Sequence, residues 1–172
     1  GMTQPAAGPL EGLTVIEMGT LIAGPFCGQI LGDFGAEVIK IEDPKVGDPM
    51  RQWGRSLPKG HSPWWPVIGR NKKSVTLNLR TPEGQAIARK LIGGADVLVE
   101  NFRPGALEKW GLGYEDMRKV KPDIIWVWLL FVDGSLLNLQ GLTTVESLGK
   151  EEKARAIPRS IALRRSEVVK PQ

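Results

Sequence analysis

The 172-residue chain contains one cysteine, Cys27, and one histidine, His61. A single cysteine excludes an intrachain disulfide, and one His with one Cys is too little for a zinc site or a Cys-His or Ser-His catalytic pair. No apolar run approaches the ~20 residues a membrane-spanning helix needs. Residues 1–7, Gly-Met-Thr-Gln-Pro-Ala-Ala, lack the basic and apolar regions of a signal peptide, so a cytoplasmic location with no membrane partner is expected. Gly1 ahead of Met2 reads as a remnant of tag removal. The dinucleotide fingerprint is missing too, because Gly19, Gly24, Gly28, Gly32 and Gly35 do not follow the G-x-G-x-x-G spacing. A basic stripe interleaved with aromatics is also absent. The net charge of +4 arises entirely in residues 150–172, so no nucleic-acid partner is expected.

What remains is an ordinary globular composition, 41% apolar and 24% charged, in a chain long enough for one domain with a core. Residues 13–17 (Leu-Thr-Val-Ile-Glu) read as a first strand buried on both faces. Pro25 opens a helix whose apolar face is expected to be Phe26, Ile30, Leu31 and Phe34, ending at Gly35. The Gly28 and Gly32 pair would let this helix approach a neighbour closely. Residues 36–42 form a second strand, completing a right-handed βαβ unit and predicting a parallel sheet. Asp43 to Arg70 reads as one long irregular segment, and its three tryptophans (Trp53, Trp64, Trp65) suggest a cover over the sheet or a subunit interface.

The third strand is expected at 75–79, followed by a helix capped by Thr81 with Pro82 at its first position. Ala86, Ile87, Leu91 and Ile92 should form the buried face of that helix. A fourth strand, Val97-Leu98-Val99, stops at Glu100 and Asn101, and Pro104-Gly105 turns the chain. Short helices follow at 106–110 and 114–120, then a fifth strand at 124–128. Beyond residue 128 only a helix at 145–156 suggests itself, ahead of a weakly patterned basic tail. The fold class is therefore α/β: a mostly parallel sheet with flanking helices.

In such a sheet the carboxyl ends of the strands share one edge, where ligands bind. The first strand leads to Leu21, Ile22 and Ala23, the third to Asn78 and Arg80, and the fourth to Asn101, Phe102 and Arg103. Arg103 offers a fork for phosphate, Phe102 a face for a flat ring, and Asn101 a donor and an acceptor. Lys72, Lys73 and Lys109 add charge enough for several phosphates. No catalytic pair accompanies them, and Cys27 reads as buried packing.

Five segments then carry a resemblance. Residues 10–17 (Leu-Glu-Gly-Leu-Thr-Val-Ile-Glu), 23–26 (Ala-Gly-Pro-Phe), 35–42 (Gly-Ala-Glu-Val-Ile-Lys-Ile-Glu), 71–74 (Asn-Lys-Lys-Ser) and 99–105 (Val-Glu-Asn-Phe-Arg-Pro-Gly), in that order, resemble the class III CoA-transferase (CaiB/BaiF) family. That family includes formyl-CoA transferase, carnitine CoA-transferase and the α-methylacyl-CoA racemases. The resemblance implies a Rossmann-like CoA-binding portion over 9–128 and CoA or acyl-CoA as substrate, with no metal. It implies a carboxylic acid as second substrate, and an interlocked homodimer. Carried over by position, CoA contacts fall on Ile22, Ala23, Leu77, Asn78, Leu79, Arg80, Asn101, Phe102, Arg103 and Lys109.

Two departures stand out. Asp43 occupies a position that holds an Arg for the CoA phosphates in some members, and a carboxylate there repels phosphate. After residue 128 the family pattern is lost, and by spacing the catalytic Asp falls past Gln172. Residues 129–172 are therefore expected to be a divergent segment of a frameshifted or truncated product, inactive by itself. In the family that Asp attacks the thioester and forms a mixed anhydride. The alternatives are racemase ancestry, which moves an α-proton, and a non-enzymatic remnant that binds CoA or serves in assembly.

Overall fold

β1 (Thr14–Glu17) is the middle strand of the molecule, and the chain winds outward from it in both directions. The computed structural model describes residues 8–54 and 62–129. The helix expected at 145–156, His61 and all of the segment expected to be divergent except Leu129 lie outside those residues. Around β1 are β2 (Glu37–Glu42), β3 (Lys72–Thr76), β4 (Val97–Glu100) and β5 (Ile125–Trp128). All pairs are parallel and the order is β3-β2-β1-β4-β5. This is the strand order of the first five strands of a Rossmann sheet, with its reversal point between β1 and β4.

The helices cover both faces. α1 (Ala23–Asp33) lies over Val15, Val38, Val97 and Val99, with Cys27 and Leu31 facing them. α3 (Pro82–Gly93) and α4 (Tyr114–Val120) cover the other face, where Ile16, Leu98 and Trp126 meet Ala88, Ile92 and Met117. Alternate residues of β1, β2, β4 and β5 thus enter opposite cores, as strand geometry requires. Thr81 caps α3 as expected: its hydroxyl accepts from the Gly84 N–H at 3.2 Å, with Pro82 in the first turn. No helix among the described residues is long and apolar enough to cross a membrane.

Four local expectations are corrected. The residues of α1 buried most deeply are Gly24, Pro25, Gly28 and Gln29, while Phe26 is 50% exposed and Ile30 and Phe34 also face outward. The reason is proximity: a Cβ on Gly28 would sit 2.1 Å from Glu17 Oε2, so only small groups fit against the sheet. In α3 the buried stripe is Gly84, Ala88 and Ile92, spaced by four, with Leu91 half-buried beside it. Ala86 and Ile87 are exposed, Ile87 by 47%.

The third strand begins three residues earlier than expected and ends at Thr76. The Leu77 N–H still donates to the Glu42 carbonyl at 3.0 Å, after which the chain leaves the sheet. Leu77 and Leu79 pack against the core from coil, so their alternation mimics a strand. The segment from Asp43 to Arg70 is not wholly irregular. It contains a 3-10 turn at Pro49–Gln52, whose first N–H groups are capped by Asp48, and the short helix α2 (Trp65–Ile68). Arg51 lies 3.7 Å from the centre of the Trp65 ring. Trp53 and Trp64 stay about half exposed in the single chain.

Candidate functional site

The carboxyl end of the sheet is organised by a buried knot of charge. Glu17 ends β1 and Lys40 is its register partner on β2, so the two side chains project side by side beneath α1. Lys40 Nζ lies 2.7 Å from Glu17 Oε1 and 2.8 Å from Asp48 Oδ2, and donates to the Gly19 carbonyl at 2.8 Å. Lys72 Nζ lies 2.6 Å from Glu17 Oε2 and donates to the Pro25 carbonyl at 2.6 Å. All four side chains are 2% exposed or less. Charges so deeply buried persist only when paired and hydrogen-bonded. Burial lowers the Lys72 pKa, with Glu17 opposing. Burial and then Glu17 raise that of Cys27, which keeps the thiol protonated and inert.

Above this knot sits the turn between β1 and α1. Asn101 holds it from the end of β4: its Oδ1 accepts from the Thr20 N–H and its Nδ2 donates to the Thr20 carbonyl, both at 2.8 Å. Asp48 Oδ1 accepts from the Leu21 N–H at 3.2 Å and from the Met50 N–H at 2.8 Å. Leu21 is thereby fixed at φ 64°, a left-handed conformation costing a branched residue roughly 1–2 kcal/mol. Gly19 and Gly24 touch across the turn, and a Cβ on either would come within 2.8 Å of the other's Cα.

Beside the turn opens a cavity of about 220 Å³ at the ends of the first four strands. Met18, Ile41, Leu77, Leu79, Phe102 and Trp110 supply its apolar surface. Phe102 and Trp110 meet edge to face, with centroids 5.8 Å apart. The rim is polar, formed by Thr20, Asp43, Arg80 and the turn at Gly47. Asp43 and Arg80 pair at 3.2 Å. Below them, Glu42 accepts from Arg51 Nε and Nη2 at 2.8 Å, from Ser74 Oγ at 2.6 Å and from the Asp48 N–H at 2.8 Å. Burial opposes its charge, yet the bonds from Arg51, Ser74 and Asp48 prevail and hold its pKa at about 2. A concave apolar floor with a few placed polar groups suits a flat ring carrying charged substituents.

The ten residues expected at this edge divide clearly. Leu77, Leu79, Arg80 and Phe102 line the cavity. Ile22 and Ala23 begin α1, on the turn that supplies Thr20. Asn78 shapes the rim, its Oδ1 accepting from the Arg80 N–H at 3.1 Å. Asn101 is not an open donor and acceptor, because the Thr20 backbone takes up both functions of its amide. Arg103 borders a separate cleft of about 20 Å³ with Glu100, Trp126 and Trp128, sharing Phe102 with the main cavity. Lys109 does not line either; its neighbour Trp110 does.

The lysines expected to add positive charge are elsewhere. Lys72 is buried against Glu17, and Lys73 points outward to pair with Glu37. Sequence reasoning missed Glu17, Lys40 and Asp48. The signal was present: a charged residue inside an otherwise apolar, doubly buried strand requires a buried partner.

A Rossmann-like α/β domain with its cavity at the carboxyl edge, next to the strand-order reversal, is a class built to hold nucleotide-like ligands. Residues 10–129 match CoA-transferase family III, and the chain belongs to that family. It is 57% identical over 119 residues to the succinyl-CoA–D-citramalate CoA-transferase of Chloroflexus aurantiacus, covering 69% of this chain and 30% of that protein. It is 44% identical over 118 residues to the human succinyl-CoA:glutarate CoA-transferase, covering 69% of this chain and 27% of that one. Among solved structures, a CaiB/BaiF family protein from Brucella suis superposes with a TM-score of 0.66 at 40% identity, over 72% of this chain and 33% of the other. A hypothetical protein from Mycobacterium tuberculosis gives 0.63 at 43% identity, over 71% and 33%. The chain thus spans about a third, or slightly less, of each of these four proteins.

Proposed function

We propose that this chain carries the CoA-holding portion of a CoA-transferase, which moves CoA between an acyl-CoA and a carboxylic acid. The observation that carries this reading is the cavity: in a member of this family, the carboxyl edge of the parallel sheet has an aromatic and aliphatic floor with Arg80 at its rim. The adenine ring is assigned to the floor between Leu77, Leu79, Phe102 and Trp110. Arg80 is assigned to a phosphate, and the Thr20–Ala23 turn to the pantetheine arm. Residues 9–128 are the working portion in this reading, and 129–172 the divergent segment. The relatives named above act with succinyl-CoA and citramalate or glutarate, so a dicarboxylate is the first acid to test here. A homodimer is the expected assembly.

In the chemistry of this class, a carboxylate attacks the thioester carbonyl, giving a mixed anhydride and expelling CoA thiolate. An acceptor acid then takes up the CoA as the new thioester. The carboxylates of this edge are poor candidates for that nucleophile. Glu17 and Asp48 are locked in the buried knot, Glu42 is held by Arg51 and Ser74, Asp43 is held by its own turn and by Arg80, and Glu100 accepts from the Phe102 N–H and Trp126 Nε1. The edge therefore binds and orients CoA, and the nucleophile lies outside the described residues.

Calorimetry of the chain with CoA at millimolar concentration tests the reading. Saturable binding is expected, weakened by Phe102→Ala about tenfold through lost ring packing. Absence of any heat would overturn it. The chain alone is expected not to exchange CoA between succinyl-CoA and a labelled dicarboxylate.

A further inference from the structure

Asp43 and Arg80 have a feature the CoA reading alone does not explain. Asp43 is the first residue after β2, and its turn forms one wall of the cavity. In sheets of this strand order, a carboxylate beyond the end of the second strand accepts from ribose hydroxyls, whereas an arginine there accommodates a ribose phosphate. Here both are present and joined. Asp43 Oδ1 accepts from the Lys45 N–H at 2.8 Å and the Val46 N–H at 3.3 Å, while Oδ2 faces Arg80 Nη1 at 3.2 Å. The N–H bonds from Lys45, followed by those from Val46 and Arg80, keep the Asp43 carboxyl below its ordinary pKa and hence charged. The carboxylate is anchored by backbone and cannot swing away, whereas the Arg80 side chain is 73% exposed and can move.

We propose that Asp43 and Arg80 together read the phosphorylation state of the ribose on the bound nucleotide, with Asp43 working against a ribose phosphate. This rests on the CoA reading and adds a specificity to it. A phosphate on the ribose competes with Asp43 for Arg80 and meets the carboxylate's negative charge. A hydroxyl at the same carbon donates to that carboxylate instead. The gain from Arg80 and the loss from Asp43 offset one another, so the cavity accepts adenosine ligands with or without the phosphate at similar affinity.

The test is calorimetry of the whole chain with CoA and with 3′-dephospho-CoA, on the wild type, Asp43→Asn and Arg80→Gln. The wild type is expected to bind the two within about tenfold of each other. Asp43→Asn keeps an acceptor for the turn N–H groups and frees Arg80, so it shifts the preference toward CoA by about fivefold or more. Arg80→Gln, at an exposed position that leaves the fold intact, shifts it toward dephospho-CoA. A wild-type preference for CoA above about tenfold, or a ratio unmoved by Asp43→Asn, overturns the proposal while leaving the CoA reading in place. Failure of both ligands to bind any variant overturns the CoA reading and this proposal together.

Discussion

The two faces of the sheet are built on different principles. Beneath α3 and α4 the contact is apolar: Ile16, Leu98, Ala88, Ile92 and Met117 surround Trp126, whose ring meets Tyr114 edge to face at 5.7 Å. Beneath α1 the middle of the sheet is also apolar, with Val15, Val38, Val97 and Val99. Toward the carboxyl end, however, Glu17, Lys40, Lys72 and Asp48 replace hydrocarbon with charge. Apolar packing has no directional demand and tolerates small adjustments. Ion pairs with hydrogen bonds fix the positions of their partners, and those partners include the Gly19 carbonyl and the Leu21 N–H of the turn beside the cavity. One face provides bulk stability, and the other fixes where the turn sits.

Opposite substitutions on the two faces break that contrast most directly. Lys40→Met keeps the volume but takes the buried cation from Asp48 and leaves Glu17 with Lys72 alone, with an expected cost of about 3–5 kcal/mol. Trp126→Ala should cost a similar ~3–5 kcal/mol through cavity formation. The difference should lie in the site: CoA binding, measured where each variant is still folded, should suffer in Lys40→Met and persist in Trp126→Ala. Equal effects on binding would mean that the charged face has no special hold on the turn.

Next in size is acid. The Glu42 pKa is lowered from 4.5 to about 2 on folding. Its contribution is present above pH 4.5 and lost as the pH falls toward 2, amounting to about 2 kcal/mol after allowance for the partly exposed Arg51. Urea midpoints should fall across that window, and Glu42→Gln should lower stability at pH 7 while flattening the fall. Asn101→Ala should cost roughly 1–2 kcal/mol, since it leaves the Thr20 N–H and carbonyl without their partner. Its CoA affinity should drop although the Asn101 side chain is taken up by Thr20, and unchanged affinity would show that the turn holds itself. Smallest are Ile87→Ser and Phe26→Ser, at exposed helix positions, each expected to shift thermal stability by about 0.5 kcal/mol or less.

Much of this architecture was legible from periodicity and punctuation. The apolar runs ending at Glu17, Glu42 and Glu100 marked strands, Thr81-Pro82 marked a helix start, and Gly35, here at φ 102°, marked a helix end. The errors have local physical causes. Phe26, Ile30 and Phe34 do form an apolar stripe, yet the sheet lies so close to Gly28 that the helix turns its small residues inward. Leu77 and Leu79 alternate like a strand but pack, partly buried, from coil. In the helix, size and distance outweighed hydrophobicity, and after Thr76 apolar packing came without strand pairing; neither is visible in a pattern of apolar and polar letters.

The candidate site divides along the same line. Arg80, Phe102, Leu77 and Leu79 were foreseeable because a parallel sheet gathers its strand ends on one edge, a consequence of chain direction alone. The role of Asn101 was not, because an amide that donates and accepts looks the same in sequence whether it faces a ligand or the Thr20 backbone. Lys72 and Lys73 are adjacent and identical in type, yet one is buried against Glu17 and the other pairs with Glu37 in solvent. The sequence by itself determined the family, the parallel sheet and the edge at which to look, since these follow from local propensity and strand order. The tertiary structure alone decided which charges face the cavity and which disappear into the interior. That choice depends on what comes within about 3 Å of each side chain once the layers close, where charged hydrogen bonds form.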